Sequence, residues 1–186
     1  MASGLRPIRV VALTPAGAHL ARRLCQTLEG AVCWLPTSRS AAGVQTFDRL
    51  ADVFGEAFAQ GHSLVCIMAA GIVVRGVASH LKGKDRDPAV VVVDEKGRFA
   101  VSLLSGHLGG ANDLARQVAQ VLGGVPVITT ATDVQGLPAL DALASFGFLK
   151  FIFWGFRGFL RVALKKDYQI SLVKTAKNSK NIALIF

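Results

Sequence analysis

The run Ser105-Gly106-His107-Leu108-Gly109-Gly110-Ala111-Asn112-Asp113 gathers most of what an anion-binding or hydrolytic site needs. Glycines let a ligand approach the backbone, and free N–H groups at a helix start favour a negative charge. Ser105 and Asn112 can donate hydrogen bonds, and His107 is the side chain here that titrates near neutrality. The same glycines would also suit a tight turn with His107 on the surface, so both readings stay open. A second glycine-marked turn is Gly71-Ile72-Val73-Val74-Arg75. Arg75 falls in the first turn of the helix expected there, where the dipole disfavours a cation unless an anion or a nearby acid compensates. Lys82, Lys84 and Arg86 alternate with Asp85 and Asp87 before Pro88, as a solvated loop would. Beside Arg75 they could instead form a basic rim for a polyanion. Thr129-Thr130-Ala131-Thr132-Asp133 offers three hydroxyls and a carboxylate, for substrate or for capping a further helix.

Several familiar signatures are missing. Thr14-Pro15-Ala16-Gly17-Ala18-His19 is no G-x-G-x-x-G fingerprint, and no G-x-x-x-x-G-K-[ST] loop occurs. There is no G-x-S-x-G nucleophile elbow. A nicotinamide enzyme, a P-loop NTPase and a serine hydrolase of the usual kind are thereby disfavoured.

These turns need a scaffold, and the hydrophobic pattern supplies one. Ile8–Leu13, Ala31–Leu35, Ser63–Ala69, Ala89–Asp94, Phe99–Leu104 and Val125–Thr130 read as strands. Between them, Ala18–Leu28, a segment with Phe47, Leu50, Phe54 and Phe58, Ile72–Leu81 and Asn112–Leu122 read as helices. Asp94-Glu95-Lys96-Gly97 would turn a hairpin. The alternation predicts an α/β fold: a Rossmann-like, mainly parallel sheet with helices on both faces. Ligands of such sheets bind beyond the carboxyl ends of the strands, which places Gly71–Arg75 and Ser105–Asn112 on one working surface.

Composition narrows the partners. The net charge is +9, but residues 1–144 contribute only +2 and residues 145–186 the other +7. Basicity confined to one end argues against a nucleic-acid face on the domain. The three cysteines, Cys25, Cys33 and Cys66, show no C-x-x-C and no zinc-ligand spacing, and read as small buried groups of a reducing compartment. The first apolar run is too short for a signal peptide and meets Thr14-Pro15 at once, so a cytoplasmic location is expected. Near Ser145 the composition shifts from Ala, Gly, Val and Arg to Phe, Lys, Ile and Asn. This predicts a 1–144 α/β domain and a 145–186 aromatic, Lys-rich tail of separate origin, by frameshift or recombination. Phe146–Leu164 carries Lys150, Arg157 and Arg161, which suits surface association better than a membrane span.

Four runs in order resemble the amino-terminal domain of the CbiG-type cobalamin biosynthesis proteins, the cobalt-precorrin 5A hydrolases. They are Gly71–Arg75, Lys84–Glu95, Leu103–Asn112 and Pro126–Asp133. The resemblance implies lactone opening on a cobalt-bearing macrocycle in the anaerobic route to vitamin B12, with release of acetaldehyde. It implies a polycarboxylate corrinoid as the small-molecule partner. Cobalt would arrive inside the substrate, so no protein metal site or cofactor is expected. On this footing His107 is the candidate general base, and Asp133 or Asp113 would orient it. The N–H groups of Gly109 and Gly110 would hold the oxyanion. Gly71, Arg75, Ser105, Asn112 and Thr130 complete the expected binding set. Family members continue past this domain, and Phe146–Phe186 resembles neither of their later parts. A corrinoid-binding fragment without turnover is therefore the alternative, and a membrane-associated basic protein the third reading.

Overall fold

Continuous apolar runs become strands buried on both faces. In the computed structural model, which describes residues 7–83 and 85–130, β1 (Ile8–Ala12) is buried throughout. Thr14 caps α1 (Pro15–Thr27): its hydroxyl accepts the Gly17 N–H at 3.1 Å, and Pro15 opens the helix. β2 (Ala31–Pro36) follows, then a short 3-10 turn at Thr37–Arg39 and an edge strand, β3 (Gln45–Phe47). α2 (Leu50–Gln60) ends at Gly61, whose φ of 69° makes the left-handed cap. β4 (Ser63–Ile67) leads into α3 (Ala70–Val77), which tightens into a 3-10 turn at Ala78–His80. β5 (Val90–Val93) and β6 (Phe99–Leu104) form a hairpin. α4 (Ala111–Leu122) and β7 (Val125–Val127) complete the described part.

The seven strands lie in the order β3-β2-β1-β4-β5-β6-β7. Pairing is parallel except between β5 and β6, where Val93 faces Ala100 and Val92 faces Val101. β7 runs parallel to β6, so both point against the other five strands. One face of the sheet packs Val10, Ile67, Val91 and Val93 against Ala21 and Leu24 of α1 and Ala115 and Val118 of α4. The other packs Val11, Leu64 and Cys66 against Val53 and Phe54 of α2 and Val73 and Val77 of α3. The α/β sheet with helices on both faces is therefore as the periodicity implies.

Two helices differ from the sequence pattern in their bounds. Phe47 belongs to β3 and not to the following helix; Arg49 caps α2 in extended backbone. The α3 helix begins at Ala70 and stops at Val77, since the chain must then turn into the loop that precedes β5. Gly76 is required within it, because a Cβ there would collide with the Phe54 ring of α2.

Arg9 is a charged residue inside β1, only 5% exposed. Its guanidinium donates to Glu56 Oε2 at 3.1 Å, Gln60 Oε1 at 2.8 Å and His62 Nδ1 at 3.3 Å, and lies over Trp34 at 4.5 Å. A buried charge bonded through each of its three guanidinium nitrogens ties α2 to the sheet, and removing it would strand its partners. His62 must stay neutral to accept that bond. Its pKa is lowered, by burial first and by the Arg9 charge second. The unfolded chain then takes up the imidazole proton more readily than the native one. Stability from this group is complete above the unfolded value of about 6.5 and is lost as pH falls below it. Denaturation midpoints should therefore drop between about pH 7 and about pH 5, and His62→Gln should flatten that slope. Equal slopes in the two proteins would remove His62 from this role.

Candidate functional site

The antiparallel course of β6 decides where the motifs go. The Ser105–Gly110 loop leaves β6 at the end of the sheet where β5 begins. A Cβ on Gly109 would lie 3.4 Å from the Ala89 backbone nitrogen. Gly71 follows β4 at its carboxyl end, on the opposite edge. The expected single working surface is thus corrected to two separate edges. Thr130 follows β7 and returns to the Ser105 edge, where its hydroxyl accepts the Asn112 Nδ2–H at 2.9 Å.

The basic run is relocated by the same reversal. The residues before β5 lead to its start, the end of the sheet where the His107 loop leaves β6, whereas Gly71 lies at the carboxyl end of β4. This segment is a built loop. Asp87 is buried, and its carboxylate accepts the N–H groups of Lys82 at 2.9 Å and Gly83 at 3.2 Å. Lys82 and Arg86 themselves remain exposed, and Arg86 has only a loose 3.9 Å pairing with Asp85. Arg75, for its part, donates from Nη1 to the Gly71 carbonyl at 2.8 Å. The helix spans Ala70–Val77, so Arg75 falls in its last turn, where the dipole favours a cation, and not in the first turn that the sequence pattern suggests.

Within the Ser105–Asn112 loop, close packing explains the glycines. Ser105 adopts a φ of 59°, a left-handed conformation uncommon for a residue with a side chain. A Cβ on Gly109 would collide with Ser105, and one on Gly106 would come within 2.7 Å of Asn112 Oδ1. Asn112 is 3% exposed and spans the unit: Oδ1 accepts from Ser102 of β6 at 2.7 Å while Nδ2 reaches Thr130. The helix start is also partly closed from within. Gly110 N–H donates to the His107 carbonyl, Ala111 N–H to Ser105 and Asn112 N–H to Gly106, each at 3.1 Å. Gly110 is therefore engaged and does not offer its N–H to an oxyanion in this conformation. His107 is half-buried in the same loop. Asp113 points to solvent and pairs with Arg116 at 2.7 Å. Asp133, Thr132 and Lys84 lie outside the described residues.

The opposite edge holds a feature that residue types did not signal. The strand order reverses between β1 and β4, and in open α/β sheets such a switch opens a crevice. A cavity of about 510 Å³ occupies it, walled by Leu13, Met68, Ile72, Phe99 and Val101 with Thr14 and Asp94 at its polar side. Its walls are mostly aliphatic, so the recognisable signal was the strand order alone. Among the described residues, no group of three or more His, Cys, Asp or Glu could hold a metal ion. No described helix is long and apolar enough to cross a membrane.

The chain is similar in sequence and fold to known proteins. Residues 52–133 match the family described as cobalamin synthesis G, N-terminal. The cobalt-precorrin-5A hydrolase of Salmonella typhimurium is 46% identical over 138 residues, 74% of this chain and 39% of that protein. That of Priestia megaterium is 39% identical over 138 residues, 71% of this chain and 37% of that protein. A crystal structure of a cobalamin biosynthesis protein G homologue from Sulfolobus solfataricus is 26% identical with a TM-score of 0.52, covering 67% of this chain and 37% of that one. The chain thus spans under two fifths of the length of these relatives.

Because Asn112 joins β6, α4 and the end of β7, Asn112→Ala should destabilise the domain by about 1–3 kcal/mol, the cost of leaving buried partners unsatisfied. Urea denaturation reads this directly. A loss below about 0.5 kcal/mol would mean that the amide bridges carry little of the edge.

Proposed function

The chain carries a CbiG-type amino-terminal domain, and from that premise we propose that it serves cobalamin biosynthesis by the anaerobic route, in the lactone-opening hydrolysis of cobalt-precorrin 5A with release of acetaldehyde. The observation that carries this reading is the gathering of three of the four family-like runs at one sheet edge. The basic loop before β5, the Ser105–Asn112 loop and the Thr129–Thr130 exit meet there.

The chemistry asked of that edge is modest. Water must lose a proton as it attacks the lactone carbonyl, the tetrahedral oxyanion must be held, and the ring C–O bond must then break. His107 is the proposed base. Lys82 and Arg86, exposed on a loop fixed by Asp87, are suited to the substrate's peripheral carboxylates. The N–H of Gly109 is the proposed oxyanion donor, and Asp133 is proposed to orient the imidazole. Ser105, Asn112 and Thr130 shape the floor of the site through their own bonds. Gly71, on the far edge, and Arg75, bonded to its carbonyl, do not enter this set. Cobalt comes within the substrate, so no resident metal or cofactor is required, and the reading places the protein in the cytoplasm.

A second reading is favoured by one fact: the chain covers 39% of the Salmonella typhimurium relative. A fragment of that extent could bind the corrinoid carboxylates without turnover. Acetaldehyde release from cobalt-precorrin 5A by the purified chain, beside the complete relative, separates the two. Release is expected, with His107→Ala lowering it by about 10²–10⁴-fold. Unchanged turnover and affinity in His107→Ala would end the assignment of that residue. No release beside an active control would reduce the function to binding.

A further inference from the structure

Cys25 of α1 and Cys33 of β2 pack on the same side of the sheet, in one apolar cluster. Both line a cavity of about 330 Å³ together with Arg22, Gln26 and the exposed loop residues Ala42 and Gly43. The third cysteine, Cys66, lies in the middle of β4 with no exposure at all. A thiol pair that shares a cavity with a guanidinium and an exposed loop is placed quite differently from a thiol sealed in a core. Packing alone would not require a cation beside two sulfurs.

We propose that Cys25 and Cys33 form a thiol modification site, in which a small-molecule disulfide enters the Arg22 cavity and converts the pair to an intramolecular disulfide. The order of attack follows from the surroundings. The neighbouring Cys25 thiol and the Arg22 charge both hold the Cys33 thiol below its ordinary range against the opposing effect of burial. The Cys25 thiol is pushed up by the neighbouring Cys33 thiol, by burial and by the charge of Cys33. Cys33 is therefore the attacking sulfur and Cys25 the resolving one. In the first step the Cys33 thiolate attacks one sulfur of the small disulfide, whose S–S bond breaks and releases one small thiolate. In the second, the Cys25 thiolate attacks the Cys33 sulfur of the mixed disulfide and releases the other. Two protein thiols are oxidised, one small disulfide is reduced to two thiols, and the protons pass to water and the leaving thiolates. Cys66 takes no part: burial pushes its thiol up to about 12.

The test uses the intact native chain in a buffer of oxidised glutathione, quenched by acid and blocked by a maleimide. Cleavage after Glu29 separates Cys25 from Cys33 in sequence, so only a disulfide between them keeps the two peptides together. The linked pair should form, with Cys66 labelled only after denaturation. Cys33→Ser should slow consumption of glutathione disulfide by about tenfold or more. Cys25→Ser should instead trap glutathione on Cys33. Wild-type protein that carries glutathione on Cys25 and Cys33 separately, or that keeps all its thiols in the native state, would overturn the proposal. The wild-type result alone decides this even where a variant folds poorly.

Discussion

The direction of one strand governs where everything else can act. Asp94 builds the turn that reverses it. Its Oδ1 accepts the Phe99 N–H at 2.8 Å, and its Oδ2 accepts the Lys96 N–H at 3.3 Å and the Arg98 side chain at 3.2 Å. Burial works to raise the pKa of this carboxyl, but those bonds outweigh it and hold Asp94 below the usual range. Gly97 supplies the left-handed residue of the turn, with a φ of 69°. Gly124 then passes so close to the Gly97 carbonyl that no side chain would fit. The same turn thus sets the hairpin and the entry to β7. Had the chain crossed over to a parallel strand instead, the His107 loop would have joined Gly71 at the other edge.

That reversal divides the domain into two chemically distinct ends. The switch-point edge offers an apolar crevice with Thr14 and Asp94 beside it. The hairpin edge offers exposed cations on a loop pinned by Asp87, at the same end of the sheet as the tightly packed glycine loop that carries His107. A corrinoid intermediate rimmed with carboxylates suits the second end better on charge alone. The loop's self-bonding does not weaken that reading. The left-handed Ser105 and the inward N–H bonds of Gly110, Ala111 and Asn112 fix the backbone of the loop that carries His107. What the loop gives up as a ready-made anion nest it gains in pre-organisation.

Much of the scaffold was legible in the sequence because burial on both faces leaves a simple mark. Val10–Ala12, Leu64–Ile67 and Val90–Val93 are unbroken apolar runs, and all lie in strands. The Asp94–Gly97 turn was also readable. A hairpin there reverses β6 and so moves the Ser105 loop to the edge opposite Gly71, against a single working surface. β3 was missed because it is three residues long on the sheet edge, with Gln45 and Thr46 exposed. Phe47 fits a helical spacing with Leu50 and Phe54, and only the break at Arg49 separates them. Arg9 drew no notice in sequence, as its partners Glu56, Gln60 and His62 are some fifty residues away. At the site, the glycines at 106 and 109 are required by the close approach of Asn112 and Ser105, which spacing alone does not reveal.

The central claim is that the hairpin edge, and not the switch-point crevice, receives the corrinoid carboxylates. Amide chemical-shift mapping of the chain titrated with a cobalt(III) corrinoid bearing free carboxylates tests this most directly. Saturable shifts at Lys82–Asp87 and Ser105–Asn112, weakened in Lys82→Ala/Arg86→Ala, are the expected result. Shifts confined to Thr14, Met68–Gly71 and Asp94, unaffected by that double substitution, would contradict it and move the site to the opposite end of the sheet.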